Sequence, residues 1–356
     1  FKLKIKNYNN VITQPQKLGK LSPTEWDQLI RFSRYAKVTA SLHEQAEMLG
    51  IKGLIPQNAL NFLEAEQVRS QFMQLQATRE LDEIEQTLET TDYPIILLKG
   101  AAYIAGKLPP ASGRRLSDID LMVPKNHLSE IEQKLLGSGW TTKDDLNDYD
   151  ENYYREWSHE IPPVHHPLRC LEIDIHHNIS PPTSSTRINA DLLIEQSIPL
   201  ANSRFSILCP HDMFLHSATH LFMNDELRGG LRDLMDMHFL SAVNSSEFWD
   251  GLPDRAKQLG LERPLYYAAS ALRDILNTQI PKDTLESINQ FSPNSLSRQL
   301  MQKLINRQLA PSNPEQLQAP FTEWLLFIRS HWVRMPPKML IKHLTYKWWK
   351  KFRPQN

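Results

Sequence analysis

The chain has 356 residues, enough to bury a sizeable core and to form two or three domains. Its 40 Lys plus Arg against 41 Asp plus Glu leave a net charge of −1, so no global field draws it to nucleic acid and any basic surface must be local. No apolar run approaches the roughly 20 residues of a membrane span and no signal-peptide core follows Phe1 to Lys6, while two cysteines, Cys170 and Cys209, support no disulfide framework and fit a reducing cytoplasm.

Residues 1–20 are polar and mixed, and read as an arm. Ser22-Pro23-Thr24-Glu25 before Trp26 is a helix-start signature, with Ser22 as N-cap and Pro23 in the first turn. Helices are expected over 23–50 and 57–90. In the second, Leu63, Val68, Phe72, Leu75 and Leu81 are spaced for one buried stripe.

Ile95 to Leu98 is a short apolar run of the kind buried in a sheet. Lys99-Gly100 ends it, and Ala101 to Ala105 opens a helix. A glycine between strand and helix lets backbone approach a phosphate, which the unbonded N–H groups of a helix start favour. Arg114 and Arg115 follow on a basic loop and add positive charge where a triphosphate would lie.

Asp118-Ile119-Asp120 then begins a second strand that continues through Leu121-Met122-Val123. Strand side chains alternate faces, so Asp118 and Asp120 project from one side about 6.5 Å apart along the rise. Two such acids suit hard divalent cations and metal-assisted phosphoryl or nucleotidyl transfer. Asp174, in the alternating segment Leu171 to His176, is the expected third acid from a neighbouring strand, and strand alternation puts His176 on the same face.

Between these strands, residues 126–136 predict a helix closed by Gly137-Ser138-Gly139, Trp140 to Thr142 a strand, and the acidic, tyrosine-rich stretch 143–156 a loop or lid. His159, His165, His166, His176 and His177 invite a zinc reading. No cysteine pair or H-E-x-x-H spacing completes a tetrahedral set, and the order suits adjacent antiparallel strands equally.

The ordered set LLKGAAY, a proline-containing loop with GRR, LSDIDLMV and EIDIHHNI resembles the uncharacterised nucleotidyltransferase family of the DNA polymerase β-like superfamily. The likeness covers most of the chain, including Trp26 near the start and the segment Leu231 to Asp236 in the C-terminal half. It implies an α+β fold: a mixed sheet with flanking helices at 92–205, preceded by an arm and helices (1–91) and followed by a helical domain with a basic aromatic tail (206–356). Carried over residue by residue, Asp118, Asp120 and Asp174 would be the catalytic metal ligands. Lys99, Gly100, Arg114, Arg115 and Ser117 would hold the nucleotide. The resemblance implies Mg²⁺ or Mn²⁺ with an NTP donor, ATP the expected one, and an acceptor that is a small molecule, a protein or an RNA end. Where the wider superfamily has a serine after the turn glycine, this chain has Ala101, and eighteen positions separate Gly100 from Asp118. A nucleotide-binding protein without turnover is therefore the first alternative.

Beyond residue 207 the pattern is helical. Cys209-Pro210-His211-Asp212 opens a helix, and His211-Asp212 with His216 and His220 offers a second enzymatic reading, a metal phosphohydrolase. Against it, Asp212 suits a helix start and the histidines suit packing. Leu227 to Leu240 predicts a helix with Arg228, Arg232, Asp233 and Asp236 along one side, facing the nucleotide or tying helices together. Further helices are expected at 261–277, 283–308 and 320–331. From His331 onward there is no acid, while Arg334, Lys338, Lys342, Lys347 and Lys350 alternate with Trp332, Leu340, Trp348 and Trp349. Such a tail suits an anionic membrane or nucleic acid, but the favoured expectation is a helix whose aromatics dock on the helical domain.

Overall fold

The computed structural model describes residues 14–142, 148–223, 227, 229–243, 245–310, 320–342 and 345. Helix α1 (Pro23–Tyr35) starts as its sequence predicts: Ser22 Oγ accepts from Glu25 N at 3.4 Å and the Glu25 carboxylate accepts from Ser22 N at 2.8 Å, a reciprocal capping box. The helix expected to run to residue 50 breaks at Lys37, whose φ of 57° stops α-helical propagation, and α2 (Thr39–Met48) restarts it.

The long α3 (Gln57–Thr87) buries a different face from the expected stripe. Leu63 and Leu81 are buried, but Val68, Phe72 and Leu75 are 66%, 55% and 49% exposed. The inward face runs through Leu63, Gln67, Ser70, Ala77 and Ile84, and its polar members have partners. Ser70 Oγ donates to the Arg114 carbonyl at 2.9 Å, and Gln74 Nε2 donates to the carbonyls of Ala111 at 2.8 Å and Arg114 at 2.9 Å. The polar positions of α3 thus hold the basic loop, which apolar periodicity alone does not reveal.

The sheet contains β1 (Ile95–Leu97), β2 (Asp118–Met122), β3 (Thr141–Thr142), β4 (Val164–His165), β5 (Glu172–His176), β6 (Ile198–Pro199) and β7 (Phe205–Ile207), in the order β3-β4-β5-β2-β1-β7-β6. It is mixed: β2 runs antiparallel to β1 and parallel to β5, while β1 runs parallel to β7. Ile119, Leu121, Ile173 and Ile175 are fully buried. Each contributes roughly 1.5–3 kcal/mol by leaving water and fixes the register that turns the alternate acids toward the cleft.

Between strands lie α4 (Lys99–Ala105), α5 (Leu128–Gly137), α6 (Asp148–Asn152) and α7 (Asp191–Glu195). The stretch expected as a loop or lid is helical from Asp148, with α6 running into a π-helical turn at Tyr153–Trp157; residues 143–147 lie outside the described residues. Among the described residues there follow α8 (Pro210–Met223), α9 (Leu231–Ala242), α10 (Ser245–Leu259), α11 (Glu262–Leu276), α12 (Lys282–Asn289), α13 (Ser295–Leu309) and α14 (Pro320–Arg334), and a further helical run at 337–342. The helix expected over 283–308 divides because Asn294 caps a new start, accepting from Ser297 N at 2.9 Å.

Buried α8 packs against α9, α10 and α11. Of the tail's apolar residues, Leu340 is buried as expected while Trp332 is 63% exposed; Phe321 and Trp324, earlier on α14, are exposed too. Trp348 and Trp349 lie outside the described residues, as do Arg228, Lys347 and Lys350. Among the described residues no helix is long and apolar enough to cross a membrane.

Candidate active site

Strands β2 and β5 bring the three acids together in parallel register. Asp120 lies opposite Asp174, and Asp118 opposite Glu172. Asp118, Asp120 and Asp174 all line one cleft of about 780 Å³, within the range of small-molecule sites.

Asp120 is the most deeply buried of the three. Its Oδ1 lies 2.9 Å from Lys99 Nζ and 3.0 Å from His176 Nε2. Burial opposes its ionisation, yet Lys99 and His176 prevail and hold the carboxyl well below the usual range. The other two acids move the opposite way. Burial and the Asp120 charge raise Asp118, although Lys99 and a 3.2 Å hydrogen bond donated by Ser117 Oγ pull it back. Asp174 is pushed up to about 7, first by burial and then by Asp120 and Glu160. Three hard oxygen donors that disfavour one another's ionisation form a set that a divalent cation would relieve, so these residues fit the metal that the fold implies.

Lys99 has φ 45° and opens α4 immediately after β1. Gly100 is a close-approach position: an added Cβ would lie 2.9 Å from Arg114 Nε and 3.1 Å from Leu116 Cγ. Arg114 pairs with the Asp236 carboxylate on α9 and lies over the Tyr103 ring at 5.2 Å, which presets its guanidinium at the cleft wall. Arg115 sits nearer solvent, 3.1 Å from Glu66 on α3.

Sequence reasoning missed several cleft residues. Lys37, Arg69, Glu160 and Arg334 line it from the α1–α2 break, α3, the segment before β4 and the end of α14. Glu160 bridges in antiparallel fashion to His176 in the backbone, and its Oε2 lies 3.3 Å from His176 Nδ1. Its signal was its place one residue after His159 in a stretch read only for histidines.

The α9 residues are ties between elements as well as cleft wall. Buried Arg232 donates to Asp236 at 3.2 Å and to the carbonyls of Lys37 at 2.9 Å and Pro110 at 3.2 Å. Asp233 lines the cleft, its carboxyl raised by burial and by Asp236.

The His211-Asp212 pair does not form a metal centre. Asp212 is fully buried and accepts two hydrogen bonds from Arg255, at 2.7 and 2.6 Å, while His211 Nε2 lies 2.8 Å from the Phe248 carbonyl. His216 is pushed down to about 3 by burial and the Lys99 charge. The second enzymatic reading loses its site, because its acid is consumed by a structural ion pair.

An acid-bearing strand pair in a mixed sheet, a strand–Gly–helix turn and cationic side chains lining the same cleft are the features of a nucleotidyltransferase-class protein. The chain belongs to the family described as uncharacterised nucleotidyltransferase, whose profile matches residues 22–277. No curated protein matches the chain. A solved structure, the crystal structure of JHP933 from Helicobacter pylori, is similar over 77% of this chain and 95% of that chain, at 14% identity and a TM-score of 0.34.

Proposed function

We propose that this protein transfers a nucleoside monophosphate from an NTP to an acceptor nucleophile with release of pyrophosphate. The observation that carries the reading is that Asp118, Asp120 and Asp174 line one cleft together with Lys99, Arg114 and Arg115. Asp118, Asp120 and Asp174 would hold Mg²⁺ or Mn²⁺, which in this chemistry polarises the phosphoryl oxygens and neutralises developing charge.

The chain's own groups account for the remaining requirements. Arg114, preset by Asp236 and Tyr103, presents a guanidinium to the phosphates without ordering cost at the moment of reaction. Lys99 and Arg115 add cationic wall, and the Gly100 backbone permits close approach of the phosphate chain. Ser117 orients Asp118 through its 3.2 Å hydrogen bond. The acceptor oxygen forms its bond to the α-phosphorus as the α–β bridging bond breaks, and the acceptor's proton passes to the Asp174 carboxylate. Pyrophosphate carries away the released electron pair.

Buried Ala101 supplies no hydroxyl at the turn, which favours a second reading, nucleotide binding without turnover. One experiment separates the two. Thermal unfolding is followed with each of the four NTPs, with and without Mg²⁺ or Mn²⁺, in the native chain and in Asp118→Asn/Asp120→Asn. A metal-dependent rise in midpoint with one NTP, ATP being the first to test, and absent from the variant, supports the site. Release of pyrophosphate from that NTP with candidate small molecules, proteins or RNA ends then supports transfer. Binding with no release under any of them favours the second reading, and no shift at saturating nucleotide rejects both.

A further inference from the structure

A second group of donors adjoins the carboxylate set but belongs to a different chemistry. His159, Glu160 and His176 each offer one ligand atom, and these atoms lie within 4.8 Å of one another. All three residues line the cleft. Two come from the segment before β4 and one from the end of β5, joined by the Glu160–His176 bridge, so backbone hydrogen bonding fixes their spacing.

The proton positions leave this group incomplete. Asp120 is a carboxylate and can only accept, so the 3.0 Å contact places a proton on His176 Nε2. The other ring nitrogen, Nδ1, is shielded from solvent, lacks a hydrogen-bond partner and points at Glu160 Oε2, 3.3 Å away. A lone pair and a carboxylate oxygen at that distance repel unless a proton or a metal ion sits between them. A proton on His176 Nδ1 would satisfy that contact but leave His159 Nδ1, also shielded and without a hydrogen-bond partner, unanswered. One ion with nitrogen affinity, held by His176 Nδ1, Glu160 Oε2 and a ring nitrogen of His159, answers the group. The 3.3 Å between His176 Nδ1 and Glu160 Oε2 matches the roughly 3.3 Å that separates neighbouring ligands in a tetrahedron of 2.0–2.1 Å bonds. The His159 and His176 rings, with centroids 5.3 Å apart, are tilted by 42° and not stacked face to face.

We propose that His159, Glu160 and His176 form a site for a divalent transition metal of the zinc class, with Asp120 orienting His176 from behind and the fourth position open to the cleft. Two imidazoles and one carboxylate suit such an ion and disfavour Mg²⁺, which takes oxygen ligands. Asp120–His176–metal is the carboxylate–histidine–metal arrangement that fixes a ring's tautomer and raises its basicity. The site stands beside the proposed Mg²⁺ set and shares only Asp120 with it, at one remove. Both metal classes would therefore be present together, and a chelator selective for transition metals would empty one without the other.

The test uses the full chain stripped of metal and titrated with Co²⁺, read by the visible absorption of the ion in a low-symmetry nitrogen-containing site, with Zn²⁺ competition by calorimetry. One equivalent of Co²⁺ with an intense tetrahedral-type spectrum, displaced by Zn²⁺, is expected. His159→Ala removes a ligand outright and should lower affinity by more than the roughly 10–100-fold that loss of an outer partner costs. Glu160→Gln, which preserves shape, guards against misfolding of the first variant and should lower affinity at least tenfold. Asp118→Asn should leave the Co²⁺ spectrum unchanged while weakening Mg²⁺-dependent NTP binding, so failure here and failure of the transferase reading are separable. No Co²⁺ binding, or binding lost in Asp118→Asn and retained in both His159→Ala and Glu160→Gln, overturns the proposal.

Discussion

Lys99 Nζ lies 2.9 Å from Asp120 Oδ1, the oxygen that also faces His176 at 3.0 Å. Two cationic or proton-bearing groups on one buried oxygen keep Asp120 ionised where burial alone would neutralise it. Lys99 is thus counterion to the acid set as well as cationic wall. Lys99→Met should cost about 1–3 kcal/mol of stability in metal-free protein, the worth of a buried charge-assisted bond. Added Mg²⁺ should recover part of that loss by supplying the missing positive charge. Urea unfolding with and without Mg²⁺ checks this, and an equal loss under both conditions would mean that the lysine and the metal do not share a role.

Gly100 tests whether the strand–helix turn needs bare backbone. A Cβ there would press on Arg114 Nε at 2.9 Å, and Arg114 has little room to yield because Asp236 and Tyr103 hold it. Gly100→Ala should cost about 1–3 kcal/mol by overpacking and weaken NTP binding about tenfold. Gly113→Ala makes the comparison. With φ 61° and an added Cβ driven into the backbone of Ala40 and Ser41, it should destabilise more, through backbone that cannot move. Equal melting points for the two variants would contradict this ranking.

The parts of the site readable in the sequence are those carried by one short repeat. Strand alternation places Asp118 with Asp120 and Asp174 with His176, and it holds in the structure because Ile119, Leu121, Ile173 and Ile175 bury the opposite face. Lys37, Arg69, Glu160 and Arg334 escape such reading because each reaches the cleft from an element distant in sequence, and no local period encodes that approach. The misread face of α3 has a related cause: Ser70 and Gln74 face inward because the loop carbonyls of Ala111 and Arg114 need donors, a demand visible only after folding. Lys37 likewise ends α1 with no glycine or proline to announce it.

Asp212 should behave as a structural acid. Replacing it with Asn leaves Arg255 buried with a weakened partner, and about 3–5 kcal/mol of stability should be lost. Asp212→Leu/Arg255→Met removes both charges and should recover most of it. Equilibrium unfolding of the two variants, with metal content measured alongside, decides the matter. Retained stability with loss of bound metal in Asp212→Asn would restore the phosphohydrolase reading.

His216 gives the fold a defined sensitivity to acid. Its folded pKa, pushed down to about 3, lies below the ordinary 6.5, so the unfolded chain takes up the proton first. The neutral form's contribution to stability is complete above pH 6.5 and is lost as pH falls toward 3, at up to about 1.4 kcal/mol per pH unit for this one group. Burial holds His220 and His159 below their ordinary value in the same direction, and they add to the slope. Asp174, held up at about 7, contributes in the opposite sense over the same range, so the effect of His216 is read as the difference between the native chain and His216→Gln in urea unfolding at pH 7, 6 and 5. In His216→Gln the decline between pH 6 and 5 should be shallower by up to one proton's worth, because neither state of residue 216 can then bind a proton. A slope unchanged by the substitution would mean that His216 is protonated in the folded protein, and that its buried surroundings tolerate the charge.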